Sequence, residues 1–164
     1  MIKLMQPKNC YGEVITGYPV LRDSSCGRVD INTGEPFPYW KEEDSDVDGD
    51  GFDKSYNNGN YRVRIKLDKG TLLCRYGKEY GYFTTLKGTP FEKLSLPYTK
   101  ESLEYNEYEV IADGVYVECY VEKGIAAPMF SCCGGAVQYK HYCTILEEVN
   151  KRRTLRRIPY EERN

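Results

Sequence analysis

A chain of 164 residues, 40% of them apolar, holds one hydrophobic core, and a formal charge of −2 gives no electrostatic pull toward a polyanion. No apolar run approaches the roughly 18 residues of a spanning helix, and the first residues lack an apolar leader stretch, so neither a membrane span nor a signal peptide is read. The 16 tyrosines favour strands, and because they are scattered and not gathered beside Lys and Arg, a nucleic-acid platform is not expected.

Residues 1–60 are rich in Gly, Pro, Asp and Asn and read as a loop-rich N-terminal arm ahead of a domain over 61–164. Within the arm, residues 44–53 run Asp-Ser-Asp-Val-Asp-Gly-Asp-Gly-Phe-Asp. Asp46, Asp48 and Asp50 alternate and Gly51 follows, as in the first half of an EF-hand loop, which makes them candidate ligands for a structural Ca²⁺. The loop's twelfth position is Asn57 and no helix pattern flanks it, so a solvated acidic loop is the competing reading.

From residue 61 the pattern alternates. The stretch 61–67, Tyr-Arg-Val-Arg-Ile-Lys-Leu, has the period of a half-buried strand, and further strands are predicted over 71–76, 107–112, 116–121 and 136–142. Asp113-Gly114, between the runs over 107–112 and 116–121, reads as a hairpin turn. A helix is predicted over 144–151 with Thr144 as N-cap and acids in its first turn, and a weaker one over 100–104. The basic cluster over 151–157 reads as a solvated face near that helix's C-terminus. The expected class is α+β, mostly β: a strongly twisted central sheet with few short helices and the loop-rich arm.

Seven cysteines are present, with no CxxC pair and a single histidine, His141, so zinc-type spacing along the chain is absent. A bridge from Cys10 to Cys26 fits an oxidising compartment, and Cys132-Cys133 are read as packing residues or free thiols. His141 falls on the strand face opposite Gln138 and is expected to be non-catalytic.

Several stretches act together. Leu73-Cys-Arg75-Tyr76-Gly77 leads to Phe83, and Gly88-Thr-Pro90-Phe91-Glu-Lys93-Leu94 follows. Tyr105-Asn106-Glu-Tyr108 comes next, and then Gly134-Gly135-Ala-Val-Gln138-Tyr139. In this order and spacing, over about residues 66–158, they resemble the tuberculosis necrotizing toxin (TNT) family of NAD glycohydrolases. The resemblance implies hydrolysis of the nicotinamide–ribose bond of NAD⁺ or NADP⁺ with no metal in the chemistry. It assigns Arg75 to the pyrophosphate, Phe83 to stacking on a base, Tyr76 to substrate contact, and Gln138 to a ribose hydroxyl or the attacking water.

Two positions depart from that family: its second arginine is Leu94 here, with Lys93 beside it as a stand-in, and its histidine is Asn106. The resemblance also implies an inhibitory (immunity) partner protein and a secreted or delivered effector. The alternatives are a catalytically impaired relative that binds nucleotide or protein, and a calcium-stabilised interaction module. Read without the resemblance, Arg75 is a strand-end surface arginine, Tyr76 and Phe83 are packing residues, and Gln138 is an outward strand residue.

Overall fold

Residues 48, 50–96, 100–127 and 134–163 are described by the computed structural model. They fall into two compact units. One takes the described residues up to Tyr61 with those of 90–102 and 125–136, and the other takes Arg62–Thr89, Leu103–Gly124 and those from Val137 on.

The second unit carries the sheet. Its strands are β1 (Val63–Leu67), β2 (Leu72–Tyr76), β3 (Phe83–Leu86), β4 (Tyr105–Val110), β5 (Cys119–Ile125), β6 (Val137–His141) and β7 (Leu155–Arg157). They lie in the order β1-β5-β6-β3-β2-β4-β7. The pairs β1–β5, β2–β3, β2–β4, β3–β6 and β4–β7 are all antiparallel. One α-helix, α1 (Ile145–Asn150), sits between β6 and β7 in the chain. The mostly-β, α+β class expected from the sequence is therefore observed.

The core follows from alternation. Leu67, Leu73, Tyr108, Val110, Cys119, Val121, Tyr139, Ile145 and Leu155 form one buried cluster, with Ile65, Val137 and Val149 packed against it. In β5, Cys119 and Val121 turn inward while Tyr120 and Glu122 are half-buried. Because successive side chains in a strand alternate faces, each inward pair fixes its strand's register. Truncating a buried member such as Leu73 to Ala is worth about 2–5 kcal/mol.

α1 begins where the sequence places it. Thr144 is the N-cap and its Oγ1 accepts the Glu147 backbone N–H at 3.1 Å, with Glu147 and Glu148 in the first turn. The weaker candidate at 100–104 is a 3₁₀ turn over Lys100–Ser102.

Three expectations are corrected. Asp113-Gly114 does not close a hairpin: β4 pairs with β2 and β7, while β5 pairs with β1, so the two strands part after Val110. The positive φ in that connection falls on Ala112, at 45°. The fourth predicted run, 116–121, is shifted, since Val115 and Val117 are exposed and the strand runs Cys119–Ile125. The basic cluster is a solvated helix end only in its first part, with Lys151 as the exposed C-cap of α1, whereas Leu155–Arg157 is the edge strand β7, with Arg156 paired to Glu109 and Arg157 to Glu79.

In the first unit, Phe52 bridges Ala126, and the N–H of Ala126 and of Ala136 donate to Ala136 and Lys93 carbonyls. Phe52, Phe91, Ala126, Ala127 and Ala136 are buried. Among the described residues no helix is long and apolar enough to cross a membrane.

Candidate functional site

Side chains directly opposite each other in an antiparallel pair share a sheet face. Cys74 is opposite both Thr85 and Glu107, Tyr76 is opposite Tyr105, and Phe83 is opposite Lys140. By alternation Tyr76, Phe83, Tyr105, Glu107, Lys140 and Gln138 lie on one face of β4-β2-β3-β6. Arg75 and Asn106, directly opposite each other, lie on the core-bearing face with Leu73, Tyr108 and Tyr139. The expected site residues are thus split between faces but sit on adjacent strands.

Arg75 reaches across that division. Its Nε donates to the Lys78 carbonyl and its Nη1 to the Phe83 carbonyl, each at 2.9 Å, so the guanidinium holds the 77–82 loop from beneath. The loop closes over it through glycines. A Cβ on Gly81 would lie 1.9 Å from Arg75 Nη2, and one on Gly77, whose φ is +123°, would lie 3.2 Å away. Nη2 has no hydrogen-bond partner among the described residues. Burial lowers the Arg75 pKa, against the pull of Tyr108 and Glu79.

Beside it, Glu79 accepts from the Tyr108 hydroxyl at 2.6 Å and from Arg157 Nε at 2.9 Å. Burial alone would raise the Glu79 pKa; the bonds from Arg157 and Tyr108 override it and hold the carboxyl low.

On the other face, the Tyr76 and Tyr105 rings meet with centroids 4.8 Å apart and planes at 49°. The Tyr105 hydroxyl donates to Glu107 Oε2 at 2.5 Å, and burial, then that carboxylate, pushes its pKa up. Glu107 is itself buried, with Lys87 Nζ 3.5 Å from Oε1. Lys140 Nζ stands 5.8 Å from the Phe83 ring centroid. Gln138 is half-buried, two residues before Lys140 and so on Phe83's side, a diagonal step of about 7–8 Å. Tyr105 and Glu107 were not singled out from the sequence, although the alternation of β4 sets both opposite Asn106.

Asn106 Oδ1 accepts from Arg163 Nη2 at 3.2 Å. Lys93 and Leu94 lie on a 3₁₀ turn, Phe91–Leu94, in the first unit. Among the expected calcium ligands, Asp46 lies outside the described residues. Asp48 is buried and its Oδ1 accepts the backbone N–H of Asp50 at 2.9 Å and of Phe52 at 3.0 Å, closing a turn in which Gly51 takes φ +83°. Asp50 is half-buried in that turn. Cys10, Cys26, Cys132 and Cys133 also lie outside the described residues, whereas Cys74, Cys119 and Cys143 are free thiols. Burial pushes Cys74 up to about 11. His141 is buried between Thr84 and Glu148, on the face opposite Gln138.

Comparison with known proteins bears on this arrangement. No curated protein matches the chain. Among solved structures, tuberculosis necrotizing toxin complexed with its immunity factor IFT is 20% identical, with a TM-score of 0.47 over 95% of this chain and 99% of that one. Tse6 in complex with Tsi6 is 19% identical, with a TM-score of 0.43 over 66% of this chain and 77% of that one. The family described as tuberculosis necrotizing toxin matches residues 66–158, a span that holds β2 to β7 and α1 whole and with them Arg75, Phe83, Asn106 and Gln138. With more than half of its length matched in this way, the chain belongs to the tuberculosis necrotizing toxin family.

Proposed function

We propose that this protein is an NAD(P)⁺ glycohydrolase, hydrolysing the nicotinamide–ribose bond to nicotinamide and ADP-ribose or its 2′-phosphate. The observation that carries the reading is the adjacency of Arg75, Phe83 and Gln138 on β2, β3 and β6 within the family-matched span.

Cleavage of this bond demands little acid–base work. Water adds to the ribose C1′, the C–N bond electrons pass to the nicotinamide nitrogen, and one proton is released. The leaving group is already cationic, so the barrier lies in an oxocarbenium-like ribose. The protein positions that ribose, stabilises changing charge and admits one water. In this reading the Gln138 amide bonds a ribose hydroxyl or orients the water. Phe83 offers an apolar ring to a flat base, and Tyr76, braced by Tyr105, widens that surface. Arg75, with Nη2 not engaged by the loop, meets phosphate oxygens, and its partly desolvated charge favours an anion. Asn106 serves as a lesser substrate contact.

Chromatographic detection of nicotinamide after incubating NAD⁺ and NADP⁺ separately with micromolar protein tests the reading. Intact dinucleotide after long incubation removes the enzymatic claim and leaves the family assignment untouched. Asn106, where the related toxins carry histidine, has a non-titrating amide that cannot handle a proton, and its Oδ1 accepts from Arg163. This favours a second reading, a nucleotide-binding relative without turnover, which saturable ADP-ribose binding with no nicotinamide release identifies. As a member of a toxin family, the protein is further proposed to act as a delivered effector with a cognate neutralising protein.

A further inference from the structure

The core of the sheet unit holds a donor cluster that the glycohydrolase reading does not use. Cys119 opens β5, His141 closes β6, and Glu148 lies on α1. Their ligand atoms all lie within 4.8 Å of one another, and the three residues are buried. A second thiol adjoins them, Cys143, whose Sγ is 3.4 Å from Glu148 Oε1. We propose that Cys119, His141, Cys143 and Glu148 form a structural zinc site, an inference independent of any activity toward NAD⁺.

Thiolate, imidazole and carboxylate are the donors Zn²⁺ takes, four of them in a closed tetrahedral site. Bonds of about 2.0–2.3 Å set tetrahedral donors roughly 3.3–3.8 Å apart. Cys119 Sγ is already 3.4 Å from Glu148 Oε2. His141 Nδ1 is 2.7 Å from the same oxygen and needs only to draw back, while Cys143 swings inward as the fourth donor. The surroundings fit a metal site as well. His141 Nε2 is 2.8 Å from Thr84 Oγ1, which accepts the Nε2–H once Nδ1 ligates, and Thr154 Oγ1 donates to Glu148 Oε1 at 2.8 Å.

Charge favours the exchange. The Glu148 carboxylate is offset by Arg152, whose Nε is 3.3 Å from Oε1. On binding, two thiol protons leave and one Zn²⁺ enters, so this exchange adds no net charge to the buried cluster and avoids the cost of burying one. Cys143, half-buried, gives the ion a way in. Sequence spacing hid this set because positions 119, 141, 143 and 148 converge only through the fold.

The test uses the full chain, stripped with chelator and titrated with Zn²⁺ and with Co²⁺. The expected result is one Zn²⁺ per chain, a rise in Tm of about 5–15 °C at saturating metal, and a thiolate-to-cobalt charge-transfer band lost in Cys119→Ser and weakened in Cys143→Ser. No stoichiometric uptake by the parent chain, or a cobalt band that survives in the double serine variant, overturns the proposal. Should a variant fail to fold, X-ray absorption of the zinc-loaded parent decides. Two sulfurs with two lighter donors support the site, and an all-sulfur shell overturns it.

Discussion

Arg75 and Phe83 are joined by a 2.9 Å hydrogen bond from the Arg75 Nη1 to the Phe83 carbonyl, linking the guanidinium on β2 to the first residue of β3. The bond makes the position of an expected stacking ring depend on an expected phosphate ligand. Arg75→Lys keeps the charge but loses the planar fork that serves Lys78 and Phe83 together. The expected outcome is a stability loss of about 1–3 kcal/mol in urea unfolding, with nicotinamide release falling about 100-fold.

Gly81→Ala probes the same contact from the opposite side. The added methyl collides with Arg75 Nη2, the mobile end of the side chain, so the guanidinium moves while the backbone holds. Nicotinamide release and the unfolding midpoint are both expected to fall as in Arg75→Lys, because the displaced group includes the Nη1 that bonds the Phe83 carbonyl. A parent-like rate together with a large stability loss would mean that the guanidinium serves the loop alone.

Gln138→Ala is expected to leave Tm within a few degrees of the parent, because the side chain is only half-buried. Turnover should drop by about 10²–10³ if the amide aids charge development or orients water. Calorimetry and single-turnover nicotinamide release on the same preparation separate the two effects.

Acid sensitivity has a named source in Glu79. Its folded-state pKa lies below the usual carboxylate value, with Arg157 and Tyr108 outweighing burial. Its contribution is therefore complete above the ordinary carboxylate range and is lost as pH falls through the depressed folded pKa. Glu79→Gln should destabilise the protein at neutral pH and flatten the acid limb of the stability curve, as read by urea midpoints across pH. A parent-like acid limb in the variant would assign acid unfolding to other groups.

The Asp48 turn gives a structural prediction. One carboxylate oxygen accepts two backbone N–H groups, so Asp48→Ala leaves both without that acceptor and should cost about 1–3 kcal/mol. Asp48→Asn retains an Oδ1 and should cost less. Equal losses in the two variants would show that charge, not the turn bonds, is what matters there.

Alternation made much of the sheet legible: the cores of β1, β2, β4 and β6 fall in predicted runs, and Thr144 caps α1 as its residue type implies. What escaped was whatever depends on neighbours distant in the chain. Phe83–Leu86 is a four-residue strand too short to show a period, and Leu155–Arg157 looks like a solvated basic run until Glu109 and Glu79 are seen to neutralise it. Asp113-Gly114 carries a strong local turn signal, yet the partners of β4 and β5 decide against a hairpin. At the site, the family resemblance named Arg75 and Gln138, which the residues alone read as a surface arginine and an outward strand residue. That Arg75 braces Phe83, and that it lies on the face opposite Gln138, follows only from register.

The strand order has a kinetic consequence. In β1-β5-β6-β3-β2-β4-β7 only β2–β3 and β5–β6 are neighbours both in space and in succession along the chain. Every other ladder waits for a distant segment, and the Arg157–Glu79 pair closes over 78 residues. Such a high contact order places refolding in the milliseconds-to-seconds regime of all-β domains, on the order of a thousandfold slower than helical bundles of similar stability. Stopped-flow refolding from urea should show this slow phase.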